Sequence, residues 1–272
     1  MISKLRSILQ LLKSLYRRLK LGFRNHEVWS GNYTTWEDAA AKSSGYNSEV
    51  ILEKCKKSLL KVKRGEAVYE RDSFLFNEIH YSWGLLAGLQ RAALENDGTL
   101  CVLDFGGSLG STYYQNREFL SSIKNIQWCI VEQSHFVACG KEYFEDENLK
   151  FYDTIEDCLA KHDPTVLILS GVIHILEKPY DWILKFNSLK IKYIIIDRTP
   201  FTDLDHDILT IQNVPAEIYN ASYPSWFFSE PKFILAFNNY RLQATFESFC
   251  DQRMILNSTV PAKWLGFHLV LK

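Results

Sequence analysis

Residues 101–111 read CVLDFGGSLGS, and the glycines and serine in that stretch admit two chemistries. Read around Ser108, Gly106-Gly107-Ser108-Leu109-Gly110 fits G-x-S-x-G, the strand-to-helix elbow that exposes a serine nucleophile. Read from Asp104, the same residues form a glycine-rich turn that points backbone N–H groups and a helix N-terminus at a nucleotide cofactor. Glu132, at the end of the next apolar run IQWCIVE, bears on the choice. An acid about 20 residues past such a turn accepts hydrogen bonds from ribose hydroxyls. A hydrolase needs an acid and a histidine downstream, and Asp197 and His268 supply the types. His268, however, lies in the alternating run KWLGFHLVLK, where a packed strand histidine is the plainer reading, and no H-G-G-G-like oxyanion stretch is present. The cofactor turn is therefore the better reading. It leaves Ser108 as a small lining residue and the hydrolase as the alternative.

These groups can act together only if regular elements bring them to one edge. From residue 99, short β-rich runs alternate with helical segments: LCVLDF, IQWCIVE, KFYD, TVLILS and KYIIID, then RLQATFESF and KWLGFHLVLK. Such alternation implies a parallel sheet with helices on both faces. The last two runs are joined by a polar segment without helical periodicity, so they are expected to pair antiparallel at the sheet edge. The expected fold over residues 99–272 is α/β, a Rossmann-like doubly wound sheet of seven strands, mostly parallel with that antiparallel C-terminal pair. Residues 25–98 read as a helical cap. NSEVILEKCKKSLLKVKRGEA and FLFNEIHYSWGLLAGLQRAALEN both carry helical spacing, and Asp97-Gly98 closes the second. No strand is expected before residue 99.

The first 24 residues form a separate segment. They carry Lys4, Arg6, Lys13, Arg17, Arg18, Lys20 and Arg24 and no acid, with apolar residues from Ile2 to Leu19 on one helical face. A basic amphipathic helix can lie on an anionic membrane surface. It can equally pack on its own domain or on a second subunit of a homodimer.

The 272-residue chain is 47% hydrophobic and 23% charged, ordinary for a globular protein, and its net charge of −1 gives no bulk attraction to nucleic acid. Six scattered cysteines without C-x-x-C read as reduced thiols of a cytosolic protein. No apolar run is long enough to span a bilayer, and the N-terminus lacks the apolar core of a secretory signal. The expected location is cytoplasmic, with peripheral contact at the inner membrane face if residues 1–24 bind lipid. Asp203, Asp205, His206 and Asp207 form DLDHD; carboxylates can hold Mg²⁺, but a solvated loop is the plainer reading and no metal is expected.

Asp104-Phe-Gly-Gly-Ser-Leu-Gly110, Glu132 and the strand order resemble a class I S-adenosylmethionine-dependent methyltransferase. More narrowly, the chain is similar to the LIC12133-type family of bacterial surface-polysaccharide loci. The carriers are WSGNYTTWEDA, GEAVYERDSFLF, VLDFGGSLGS, YIIIDRTPF and IYNASYPSWFFSE, which span nearly the whole chain after the basic segment. The generic loop is D-x-G-x-G-x-G. Asp104, Gly106 and Gly110 match it, Ser108 replaces the central glycine and Gly107 adds one. A serine keeps backbone approach open at negative φ.

The resemblance implies S-adenosylmethionine as cofactor and S-adenosylhomocysteine as product. It implies that Asp104 and Gly106, Gly107, Ser108 and Gly110 face the methionine moiety, that Glu132 meets the ribose, and that Asp153 lies beside adenine. Ser170 and Gly171 would close the site; by their position before the first strand, and not by the resemblance, Tyr69, Arg71 and Tyr81 are expected to cap it. The resemblance also implies transfer to an oxygen of a capsule or lipopolysaccharide sugar, a nucleotide-linked sugar precursor or a glycan-linked phosphate.

For a hydroxyl acceptor the enzyme must position two reactants and remove a proton. His174 in SGVIHIL is the expected general base, because histidine titrates near neutral pH. Asp197-Arg198 can hold the acceptor, with arginine suited to phosphate. Tyr219, Tyr223, Trp226 and Phe227 can stack on a sugar face. The alternatives are a non-catalytic methyltransferase-like scaffold of a polysaccharide assembly complex and an NAD-linked oxidoreductase, which would lack the antiparallel edge pair.

Overall fold

The computed structural model describes residues 28–45, 48–214, 221–248, 254–257 and 259–272. The basic segment 1–24 and Tyr219 lie outside the described residues.

The chain opens with β1 (Trp29–Tyr33), α1 (Trp36–Ala41), α2 (Ser48–Lys63), β2 (Tyr69–Arg71), β3 (Phe74–Phe76) and α3 (Trp83–Leu94). It continues with β4 (Thr99–Phe105), α4 (Ser111–Leu120), β5 (Asn125–Val131), α5 (Ser134–Tyr143), β6 (Leu149–Tyr152), α6 (Ile155–Leu159) and β7 (Val166–Ser170). A 3₁₀ turn at Ile173–Ile175 leads to α7 (Pro179–Leu189), β8 (Tyr193–Thr202), β9 (Ile208–Asn213) and β10 (Ser222–Ser229). The chain ends with α8 (Glu230–Ala236), β11 (Tyr240–Glu247), β12 (Met254–Leu256) and β13 (Val260–Leu271).

Strands β6, β5, β4, β7 and β8 lie side by side and parallel. β13 then runs antiparallel to β8 on one side and to β11 on the other. The central strands are apolar almost throughout because both faces are covered. Along β4, Leu100 and Val102 join one core while Leu103 and Phe105 join the other; along β8, Tyr193 and Ile195 alternate with Ile194 and Ile196 in the same way. The first core is closed by α2, α3, α4 and α5, the second by α6, α7 and α8. Helix α2 shows the logic locally: Ile51, Cys55, Leu59 and Val62 are buried at helical spacing.

Among the described residues the main sheet holds eleven strands where seven were expected. The four extra strands are β1, β9, β10 and β12, and the physical origin is the length of β8. β7 pairs with β8 only as far as Asp197. β8 runs on to Thr202, and the edge left bare past β7 is taken by β10 through Phe201 and Thr202. β9 joins β10, and β1 joins β9. Residues 28–98 thus hold three strands besides their helices. The helix expected from Phe74 starts only at Trp83, because Tyr69–Arg71 and Phe74–Phe76 form a hairpin. Its turn residues Asp72 and Ser73 take φ of 51° and 69°, the left-handed values of a tight hairpin turn.

Candidate active site

Because β4, β5, β6 and β7 are parallel, the loops that follow them emerge at one sheet edge. Together with α1, α2, the β2–β3 hairpin and β10, they enclose a cavity of about 890 Å³. A crevice at the carboxyl ends of parallel strands is where such folds bind ligands.

The turn after β4 forms one wall. Gly106 has φ of 73°, and a Cβ there would lie 2.4 Å from Cγ2 of Val172. Only glycine satisfies both constraints. Ser108 has φ of 53°. The condition of negative φ, under which a serine keeps backbone approach open, is not met: this serine holds a left-handed backbone at a cost of about 1 kcal/mol. Four of the seven described non-glycine residues at positive φ, Asp72, Ser73, Ser108 and Arg198, lie in or beside this cavity. Backbone strain concentrates at functional sites. Gly110 does not line the cavity; at φ of 104° it precedes α4 as its N-cap.

Three acids underlie the electrostatics. Glu132 follows β5 and lines the cavity. It accepts the backbone N–H of Gln133 at 2.7 Å and faces the N–H of Ser108, while burial pushes its carboxyl up. Asp104, 1% exposed, lies beneath the turn rather than in the cavity. It accepts Nε1–H of Trp128 at 3.0 Å, and a Cβ on Gly107 would come 2.6 Å from its carboxyl carbon. Burial, helped by the charge of Glu132, pushes Asp104 up to about 7. Its contact with the methionine moiety is therefore corrected to support of the turn.

Glu70, the third acid, escaped sequence reasoning. It is 2% exposed, lines the cavity and accepts N–H of Ser73 at 2.6 Å and Oγ–H of Ser111 at 2.5 Å. Burial pushes it up to about 7. The available signal was an acid in the β-rich stretch VYER, but only the hairpin turn shows which way that acid is carried.

Arg198 reaches the cavity from β8. Its Nη2 donates to Oδ2 of Asp72 at 2.6 Å, and its backbone N–H donates to Oδ1 of Asp197 at 2.8 Å. Asp197 is 1% exposed and braces its neighbour instead of meeting an acceptor in the cavity. Arg71 lines the cavity with its cation over the ring of Phe76. Asp153, Ser170, Gly171 and Tyr223 also line it.

Several expected site residues are elsewhere. His174 is 5% exposed, sits in the 3₁₀ turn and meets the ring of Trp264 edge-on at 5.4 Å. Burial, with the charge of Arg198 adding to it, holds its imidazole down to about 3. It does not reach the cavity, and an imidazole held that low is a weak base, so the general-base assignment is withdrawn. Tyr81 packs on Trp83 and Phe119, outside the cavity. Trp226 stands behind the wall, stacked on Trp36, which does line the cavity and was missed. The segment around Trp226, read as a loop, is strand β10.

No histidine lines the cavity among the described residues, so Ser108 has no imidazole to activate it there. His268 instead bonds to the carbonyl of Gly84 at 2.8 Å. In DLDHD, Asp203 pairs with Lys263, Asp205 with His206 and Asp207 with Lys232. Among the described residues no group of three or more His, Cys, Asp or Glu is arranged to hold a metal ion, and no helix is long and apolar enough to cross a membrane.

No family model matches the chain, and no curated protein matches it. Solved structures similar to it include the N-terminal domain of EvdMO1 in the presence of SAH and D-fucose. That likeness has 11% identity, a TM-score of 0.44 and coverage of 84% of this chain and 98% of the other. The glycopeptide N-methyltransferase MtfA complexed with S-adenosylmethionine is similar at 9% identity and a TM-score of 0.45, over 71% and 96%. The Burkholderia thailandensis 1,6-didemethyltoxoflavin-N1-methyltransferase is similar at 11% and 0.38, over 84% and 91%. All three TM-scores lie below 0.5, and the case for function stays with strand order and cavity chemistry.

Proposed function

We propose that this protein is a methyltransferase that binds S-adenosylmethionine in the cavity and methylates a hydroxyl oxygen of a surface-polysaccharide sugar or its precursor. One arrangement carries the reading. The glycine turn and Glu132 face the same cavity, at the end of a sheet whose last strand, β13, runs antiparallel between β8 and β11. The residues present fit the cofactor. Gly106 lets the turn pack closely on Val172 at the cavity wall, Glu132 is placed for ribose hydroxyls, and Asp153 stands past β6 for the base. The bound sulfonium supplies an electrophilic methyl group.

The chain's own residues then have two tasks, to align the acceptor and to take its proton. With His174 withdrawn, the proton falls to a cavity carboxylate. Glu70, held up to about 7, is poised near neutral pH. Arg198 sits at the cavity wall where a hydroxyl or phosphate of the acceptor would be met. The reading places the protein in the cytoplasm, with residues 1–24 as its contact with an anionic membrane surface.

Calorimetry with S-adenosylmethionine, S-adenosylhomocysteine and NAD tests it. Binding of the sulfonium compound and its product, without NAD, is expected. Binding of NAD alone would assign an oxidoreductase, and binding of none would leave the scaffold reading.

A further inference from the structure

The cavity has a second wall, built by other elements than the glycine turn. It is built by α1 and β10, which are tied through paired hydrogen bonds: N–H of Ser44 to Oγ of Ser222 and N–H of Ser222 to Oγ of Ser44, both 2.8 Å. The N–H of Gly45 adds a third, to the carbonyl of Ser222 at 3.0 Å. The wall is therefore formed before any ligand arrives. On it lies Trp36, half-buried, its ring stacked on Trp226 at 6.4 Å with 22° between planes. Trp226 is locked in turn by Nε1–H donating to the carbonyl of Leu176 at 3.1 Å. Trp36 lines the cavity and Trp226, on which it is stacked, does not, so the indole is backed by a second ring from outside the cavity.

Charge is distributed unequally. Every charged residue lining the cavity comes from the β2–β3 hairpin, the turns after β5 and β6, α6, α7 or the middle of β8. The α1–β10 wall contributes Trp36, Ala40, Ser43, Tyr223 and Pro224, and none of them is charged. A ligand matched to both parts of the lining has a flat apolar face for the indole and several hydroxyls for the carboxylates and guanidinium groups. A planar aromatic would use the indole and leave those charged groups unmet, which costs desolvation without return. A pyranose uses both, with its C–H face on the ring and its hydroxyls on the charged groups.

We infer that Trp36 is the stacking platform of the acceptor subsite and that the subsite takes a neutral pyranose ring. The inference rests on the methyl-transfer reading only for the role of that ring as acceptor. The occupancy itself is a separate question.

The test uses the full chain, with methyl β-D-glucopyranoside and methyl α-D-mannopyranoside as probes and catechol as the flat control. Binding is read by saturation-transfer NMR, and S-adenosylhomocysteine binding is measured by calorimetry on the same samples. At least one pyranoside binds the wild type; Trp36→Ala weakens it by about tenfold or more and Trp36→Phe by about threefold or less. S-adenosylhomocysteine affinity stays within about twofold in both variants. Should Trp36→Ala fail to fold, Ala40→Phe on the exposed side of α1 fills the subsite without touching the core, and it abolishes the pyranoside signal.

Pyranoside binding that ignores all these variants overturns the inference, as does binding of catechol in place of any pyranoside. Product binding without pyranoside binding sinks the subsite alone. Pyranoside binding without product binding sinks the methyl-transfer reading and leaves the subsite standing.

Discussion

Nη2 of Arg198 donates to Oδ2 of Asp72 at 2.6 Å, and both residues hold a left-handed backbone at φ of 51°. One sits in the hairpin turn and the other in the middle of β8, just past the point where β7 stops pairing, so the pair fastens the N-terminal region to the sheet beside the cavity. Its side chains are 24% and 49% exposed, which limits its energy. A double-mutant cycle of Asp72→Asn and Arg198→Gln is expected to give a coupling of about 0.5–1 kcal/mol that shrinks in high salt. A coupling well above that range would mean the pair is shielded from solvent and holds the hairpin outright.

Ser108 occupies a conformation that suits glycine. Ser108→Gly is expected to stabilise the fold by about 0.5–1 kcal/mol, seen as a higher Tm, and to leave S-adenosylhomocysteine affinity nearly unchanged. Ser108→Ala should likewise keep most cofactor binding. Loss of all activity in Ser108→Ala with cofactor binding intact would reopen the nucleophile reading.

The strands that carry the cofactor turn were legible because their signals are local. β4, β5, β7 and β8 are apolar runs buried on both faces, and Glu132 sits where the second run ends. The second wall was not legible. β9 and β10 are strands only because β8 outruns β7, a relation between chain-distant segments that no window of residues contains. The β2–β3 hairpin turns on Asp72-Ser73 instead of a glycine pair, so it gave no turn signal and hid both strands. Glu70 was hidden with them. His174 failed for a different reason. Its place after β7 was right, but the 3₁₀ turn that follows directs its ring under Trp264 and away from the cavity.

Replacing that histidine should therefore be mild. His174→Phe keeps an edge-on contact with Trp264 and removes a buried Nδ1 that has no hydrogen-bond partner. Methyl transfer in this variant is expected to stay within about threefold of wild type, since changes away from special features are small. A fall of two orders of magnitude in kcat with cofactor affinity unchanged would restore His174 to the chemistry.

Asp104 makes stability depend on pH. Its folded-state pKa, about 7, lies above the ordinary carboxylate value near 4. Between those values the folded chain holds a proton that the unfolded chain has released. The contribution is complete below about pH 4 and is lost as pH rises through about 7. Glu70, also held up to about 7, acts in the same direction. Asp104→Asn can still accept Nε1–H of Trp128 but cannot ionise. Its Tm should match wild type at pH 4 and exceed it at pH 8, and urea melts at both values check the sign. Equal Tm differences at both pH values would show that burial does not control this carboxyl.

Glu70 carries the last prediction, and it separates a base from a brace. As a general base it must be ionised, so methyl transfer should rise with pH through about 7 and level above it. Glu70→Gln keeps an oxygen to accept N–H of Ser73, so the hairpin turn should survive and S-adenosylhomocysteine binding with it. The variant should lose about 100-fold or more in kcat and lose the rise near pH 7. A brace would behave otherwise. Cofactor affinity and Tm would fall together, while the remaining activity kept the wild-type pH profile, because the group that takes the proton would still be present. The pH profile therefore decides the role where the loss of rate alone would not.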